Sequence, residues 1–139
     1  MATIKVDIVS AERAIFSGDA AMVFAPALLG EVGIAPGHAA LLTRLAPGEV
    51  RVQLVSGEEQ AFYVSGGMLE VQPKVVTVLS DTAIRAHDLD EAAVLKAKQE
   101  AEDTLKDRSG KLDVSKAQAE LAELAAQLLT IQRLRRRGS

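Results

Sequence analysis

The side chains of this 139-residue chain that could do chemistry are few and scattered. There are two histidines, His38 and His87, and no cysteine. Isolated histidines without cysteine partners do not make a zinc spacing, and the missing thiols exclude disulfides and thiolate nucleophiles. Ser65-Gly66-Gly67 has the form of a nucleophile on a tight turn. No histidine stands in a supporting context, so Gly66-Gly67 reads better as a strand break or bulge. A Walker glycine loop and a G-x-S-x-G turn are both missing. As a lone imidazole, His38 reads as a hydrogen-bonded loop residue or a contact residue rather than a base or metal ligand. No catalytic residue, metal site or cofactor is expected.

Charge is the next source of chemistry. The net charge is −3 and the pI about 5.4, which offers no general attraction to nucleic acid or acidic lipid. Against that background Arg133-Leu134-Arg135-Arg136-Arg137 is locally basic. It admits three readings: a solvated end favoured by the helix dipole, a contact for an acidic protein surface, or a nucleic-acid foot. The last finds no aromatic platform nearby for stacking bases.

The elements that position these groups divide sharply at His87-Asp88-Leu89-Asp90-Glu91. All four prolines, all four aromatic residues and eight of the ten glycines precede it, and Ala/Leu/Lys/Glu runs follow. Residues 1–87 can bury a core alone, whereas 88–139 can make little more than two helices in need of a neighbour. Asp88 with Glu91 three residues on resembles a capping box that opens the first helix. No apolar run approaches the roughly 20 residues of a membrane span, so the chain reads as soluble and cytoplasmic, with room to sit on a membrane complex.

In the first part, Ile4, Val6 and Ile8 alternate with Lys5 and Asp7, the period of a half-buried strand. Ser17-Gly18-Asp19 reads as a turn, and Ala21 to Ala25 as a second short strand with Met22 and Phe24 in phase. Residues 49–54 and 61–65 flank Ser56-Gly57 as a hairpin; Met68 to Gln72 and Val75 to Leu79 flank Pro73-Lys74. Short strands at this spacing, without crossover helices, argue for an antiparallel sandwich. Pro26 to Pro47 does not fit a strand ladder. It reads as a shaped surface loop whose apolar side chains form a binding surface, with plain loop packing as the alternative.

In the second part, Ala93, Ala97, Ala101 and Leu105 recur every four residues along an amphipathic helix that Gly110 ends. Asp113 or Ser115 caps the next helix, whose seam runs through Val114, Ala117, Leu121, Leu124, Leu128 and Ile131. The short link makes the pair an antiparallel hairpin. Three buried alanine methyls stabilise by only roughly 2 to 3 kcal/mol, so a partner could displace the hairpin; a permanently fixed hairpin is the equal alternative.

One set of residues points to a family. Gly30-Glu31-Val32-Gly33-Ile34, Pro36-Gly37-His38-Ala39 with Leu41-Leu42-Thr43, and Val64-Ser65-Gly66-Gly67 with Leu69-Glu70-Val71-Gln72-Pro73 occur in that order. Val76-Thr77-Val78-Leu79, Asp81-Thr82-Ala83 and Asp88-Leu89-Asp90-Glu91-Ala92 complete the succession. Over essentially its full length the chain resembles the epsilon subunits of bacterial F-type ATP synthases. The resemblance implies a ten-stranded sandwich in a non-catalytic rotor subunit at the cytoplasmic face of the inner membrane, peripheral and coupled to proton transport. It implies contacts with the gamma subunit and the c ring through Glu31, Val32, Gly33, Ile34, Pro36 and His38. The hairpin would fold on the sandwich or extend along gamma to restrain ATP hydrolysis, bringing Arg133, Arg135, Arg136 and Arg137 to the alpha and beta subunits. Two positions depart from the family's usual pattern: Ala40 stands where proline is common, and Ala25 to Leu29 is unusually apolar. Some members bind ATP in the hairpin through Ile or Leu, Asp, two residues, then Arg-Ala. Here Leu89 and Asp90 match while Ala93 and Val94 replace the last two, a degenerate site. The alternative function is a small adaptor that binds nucleic acid through its arginine-rich end.

Overall fold

The computed structural model describes residues 2–89, 91–106 and 114–138, the side chains of 92, 104–106, 114–117, 137 and 138 excepted. Ten strands come first: β1 (Ile4–Ser10), β2 (Ala14–Ala20), β3 (Met22–Ala27), β4 (Gly30–Ile34), β5 (Leu41–Leu45), β6 (Gly48–Gln53), β7 (Glu59–Val64), β8 (Gly67–Val71), β9 (Val75–Ser80) and β10 (Ala83–Arg85). A 3-10 turn at Ala86–Asp88 leads to α1 (Glu91–Lys106) and α2 (Val114–Gly138). The expected all-β sandwich followed by a helical hairpin is what the chain forms.

The strands run in the order β10-β7-β6-β3-β5-β8-β9-β1-β2, with β4 paired to β3. One link, Ala27 opposite Leu45, joins β10-β7-β6-β3-β4 to β5-β8-β9-β1-β2. Alternation drives the packing. Ile4, Val6, Ile8, Val50, Val52, Phe62, Val64, Leu69, Val71, Val76 and Val78 all point into one core. A fully buried Val, Ile or Phe contributes about 1.5 to 3 kcal/mol, so this half needs no help to fold. The two outer edges, β2 and β10, are tied by Arg85, whose Nη2 donates to the carbonyl of Ile15 at 3.1 Å while its guanidinium lies over Phe62.

Several local expectations need correction. Ser17-Gly18-Asp19 is not a turn but part of β2, paired with Asp7, Val6 and Lys5. In β3 the inward side chains are Val23, Ala25 and Ala27, so Met22 and Phe24 lie on the outer face. The pairing of β1 with β9 is parallel, which the antiparallel reading missed. It needs no crossover helix because most of the sandwich itself connects the two strands.

Pro26 to Pro47 is not a loop throughout: β3 and β4 form a hairpin closed by Leu28-Leu29, then residues 35–40 loop into β5. The left-handed step falls on Gly30 at φ 133°, and Gly33 lies beneath the side chains of Met22 and Phe24. Finally, α1 starts at Glu91, so Asp88 belongs to the preceding turn and cannot be its N-cap. Gly110 and Asp113 lie outside the described residues.

Gly66 and Gly67, expected to break the strands, do so at φ 112° and 124° between β7 and β8. A Cβ on Gly67 would stand 1.9 Å from the carbonyl oxygen of Leu79 on β9. Gly67→Ala should therefore lower stability by roughly 3 kcal/mol or more, combining backbone strain with displacement of β9. Urea unfolding of the full chain checks this, and a loss under about 1 kcal/mol, the cost of an ordinary glycine exchange, would refute the steric reading.

Candidate functional site

Two surfaces collect the residues that sequence singled out. The first runs along β4 and the loop after it. Glu31 points outward from β4 and accepts a hydrogen bond from Nη2 of Arg51 at 2.9 Å. Gly33 is exposed beside it. Val32 turns inward against the core and Ile34 is fully buried in it, so these two side chains serve the fold and not an outer surface. In the loop, Pro36 is half-buried and Gly37 N–H donates to the carbonyl of Pro73 at 2.9 Å, fastening the loop to the β8–β9 turn. His38 N–H donates to Ala35 O, and its Nδ1 donates to Ala39 O at 2.7 Å. His38 is thus the hydrogen-bonded loop residue expected of a lone imidazole.

Apolar side chains extend this surface. Leu29 is fully exposed at the tip of the β3–β4 turn, with Leu28 beside it at 56%. Leu42 is exposed too but lies on the outer face of the other sheet, since Leu41 and Leu45 of β5 turn to the core. A pocket lined by Ala27, Leu29, Gly30, Glu31, Val32, Leu41 and Thr43 opens among them. The sequence placed an exposed apolar surface here and marked Ala25 to Leu29 as unusually apolar, but assigned the stretch to a loop rather than to a hairpin tip.

The second surface lies under α2. The helix packs against β6, β7 and the 3-10 turn. On the outer face of those strands Glu49 and Tyr63 are cross-strand partners, and both are buried. Burial pushes the Tyr63 phenol up to about 12; Gln127 beside it works against the rise and the charge of Glu123 adds to it. The Tyr63 hydroxyl has no hydrogen bond of ordinary geometry among the described residues. Glu123, Gln127 and Thr130 follow one another by four and three residues on α2, and Thr130 is buried with its hydroxyl donating to Ala126 O. This stripe is polar. Sequence reading missed it because it sought an apolar one.

The hairpin has a separate core of Val94, Ala101, Leu124, Leu128 and Ile131, with Leu89, Ala97 and Leu121 around it. Ala97 and Ala101 of the expected stripe on α1 do face this core, whereas Ala93 is exposed and Val94 stands in the core instead. Arg135 reaches back to the carboxylate of Glu91 at the start of α1. Arg133, Arg135 and Arg136 are all exposed, and the side chain of Arg137 lies outside the description. Of the degenerate nucleotide motif, Leu89 packs on the hairpin core and Asp90 lies outside the described residues. No group of three or more His, Cys, Asp or Glu that could hold a metal occurs among the described residues. Ser65 Oγ lies 3.3 Å from Ser80 Oγ and accepts from Thr82 N–H at 3.1 Å, a structural knot at a turn.

A sandwich that carries an exposed apolar patch, with a helical hairpin set against it through polar side chains, has the form of a docking protein. Family comparison gives that class its identity. The chain belongs to the ATP synthase delta/epsilon chain family: the beta-sandwich domain matches residues 3–86 and the long alpha-helix domain residues 87–132. It is 67% identical over 135 residues to the ATP synthase epsilon chain of Nitrosococcus oceani, covering 97% of this chain and 96% of that one. To the epsilon chain of Alkalilimnicola ehrlichii it is 63% identical over 138 residues, covering 99% of each. The fold matches a chain in the Euglena gracilis mitochondrial ATP synthase OSCP/F1/c-ring structure with TM-score 0.79 at 23% identity, covering 96% of this chain and 82% of that chain. A chain of the Tetrahymena thermophila central stalk/c-ring structure matches with TM-score 0.60 at 16% identity, covering 92% and 96%. The nucleic-acid alternative finds no support in these relatives.

The polar interface makes docking depend on pH. Desolvation, then the charges of Glu120 and Asp81, raises the pKa of Glu123 above its ordinary 4.5. Glu120 lies on α2 with Glu123 and acts in either state, but the burial and Asp81 of the sandwich come with docking, so the docked state holds this proton more tightly. Docking is fullest below pH 4.5 and weakens as pH rises through the raised value. Glu123→Gln should remove the dependence and tighten docking at neutral pH by on the order of 0.5 kcal/mol, solvent screening keeping the effect small. Cysteines placed at exposed Ser56 and Gln132 of this cysteine-free chain can carry fluorophores that report the separation. A Glu123→Gln profile that matches the parent across pH 4 to 7, a range of about three units, would sink the assignment.

Proposed function

We propose that the chain is a non-catalytic central-stalk subunit of a proton-translocating F-type ATP synthase, coupling rotation of the c ring to ATP synthesis. The observation that carries this reading is the division of labour in the fold. The sandwich has its own large core and presents a constant patch, while the hairpin has a smaller core of its own and meets the sandwich through polar groups. Relatives more than 60% identical over nearly the whole length are named ATP synthase epsilon chains, and the fold recurs in assemblies described by their central stalk or c ring.

The patch of Leu28, Leu29 and Glu31, with the loop carrying Pro36 and His38, suits contact with the gamma subunit and the c ring. The hairpin in its docked form leaves Arg133 and Arg136 exposed and holds Arg135 on Glu91. Released, it would bring all of these arginines to acidic segments of the alpha and beta subunits and restrain ATP hydrolysis. No described helix is long and apolar enough to cross a membrane, which suits a peripheral seat on the cytoplasmic face of the bacterial inner membrane. With Ala93 and Val94 in place of Arg-Ala, the hairpin is read as working without bound ATP.

Removal of residues from Asp88 onward should leave the chain in the complex and raise ATP hydrolysis by roughly fivefold or more, the usual reach of a regulatory coupling. Unchanged hydrolysis in an intact complex would make the hairpin structural only. Leu28→Asp with Leu29→Asp, both exposed and so harmless to folding, should cut copurification with gamma and the c ring by at least about tenfold. Full recovery of both partners with this double variant would place the contact elsewhere. Titration of the isolated chain with ATP should show no saturation below about millimolar, where even weak specific binding would register.

A further inference from the structure

Arg51, on the outer face of β6, joins the two surfaces. Its guanidinium lies 4.4 Å from the centroid of the Phe24 ring on β3. Nη2 is 2.9 Å from Glu31 Oε1 on β4, while Nε is 3.8 Å from Glu49 Oε1 and Nη1 is 3.8 Å from Glu59 Oε2 on β7. Stacking on Phe24 confines the cation to one place. Within that place it hydrogen-bonds Glu31 and stands at ion-pair range from the other two. Exposure falls steeply across the group, with side-chain values of 48% for Glu31, 23% for Arg51 and 1% for Glu49. Arg51 therefore reaches from the solvent edge of the patch to the floor beneath α2.

We propose that Arg51 couples the two surfaces: a cationic partner group that engages Glu31 releases Arg51 toward Glu49 and Glu59 and so tightens docking of the hairpin. The physical reason is the burial of Glu49. A carboxylate taken out of water beside α2 is costly in proportion to how poorly it is compensated. Moving a guanidinium from ion-pair range to hydrogen-bond range adds to the compensation that Glu49 and Glu59 already draw from their other contacts. When Glu31 holds Arg51, the floor under α2 is less well neutralised. When Glu31 is occupied by another cation, Arg51 closes on the floor. The inference rests on the proposed function in two respects, that Glu31 faces a partner and that the hairpin is releasable.

Glu31→Gln mimics partner engagement by removing the charge that draws Arg51 outward. Hydrogen exchange of the α2 amides in the full-length chain reads the opening of the hairpin, and the core amides of Val6 and Val78 report global unfolding. Glu31→Gln should slow α2 exchange by roughly three- to tenfold while leaving the core amides unchanged, a size usual for directly coupled residues. In an Arg51→Lys background, which keeps the positive charge but loses the fork, the same substitution should change α2 exchange by less than about twofold. Equal α2 exchange in Glu31→Gln and parent, or equal slowing in both backgrounds, would overturn the coupling while the releasable hairpin stands. Exchange of α2 and the core amides at one common rate would instead show that the hairpin never opens alone, and would overturn both.

Discussion

The hairpin meets the sandwich through hydroxyl, amide and carboxylate groups, and the behaviour of the whole chain depends on that choice. Glu49 and Tyr63 are buried on the face that α2 covers, with Gln127 and Glu123 of α2 beside the phenol. An apolar face of the same size would hold permanently, since each buried leucine or valine adds about 1.5 to 3 kcal/mol. A polar face gains little on balance, because each hydrogen bond made replaces one to water. A buried hydroxyl without a well-formed bond opposes the contact by about 1 to 3 kcal/mol. The docked arrangement is thus formed and undone at small cost. The Leu124, Leu128 and Ile131 stripe faces α1 instead, so undocking from the sandwich leaves the hairpin core intact and opening that core is a separate step.

The sandwich can tolerate such a weakly held neighbour because it depends on none. Strand β7 shows the division residue by residue, with Phe62 and Val64 in the core and Tyr63 between them facing α2. Arg85 closes the gap between the two sheet edges by donating to Ile15 O and Gln60 Oε1 while lying over Phe62. Loop 35–40 is fastened through Gly37 to Pro73. The exposed leucines and Glu31 therefore keep their places whatever α2 does.

How much of this could be seen in the sequence follows from the range of the forces involved. The alternation that sets β1, the β6–β7 hairpin and the β8–β9 hairpin is local, and so was legible. The helical hairpin was legible too, with Ala97 and Ala101 on its inner face, although a run rich in alanine offers several equivalent stripes and the partner selects Val94 over Ala93. Strand β4 was hidden by its glycines. Gly33 is there because Met22 and Phe24 cross over it, a requirement that comes from the neighbouring strand. Strand β10 is only three residues long and exists through its pairing with β7. The Arg51 group was invisible for the same reason, since it draws side chains from four strands. Glu31 and His38 were singled out from one stretch of sequence, but their contacts, to Arg51 and Ala39, could be known only from the fold.

Leu89, the described residue that matches the nucleotide motif, has structural work in this chain. Leu89 packs on the hairpin core, and Ala93 is turned to solvent where an arginine would have offered a cation. The cation near this end of the hairpin comes instead from the far helix, where Arg135 meets Glu91. Such an exposed pair contributes at most about 1 kcal/mol, so it cannot lock the hairpin. It does tie two events together. Parting the end of α2 from the start of α1 frees a basic side chain and uncovers Leu89 in the same movement. A surface that captures the released hairpin must therefore offer acidic groups and an apolar strip side by side, and one that offers acid alone would leave the apolar side of the exchange unmet.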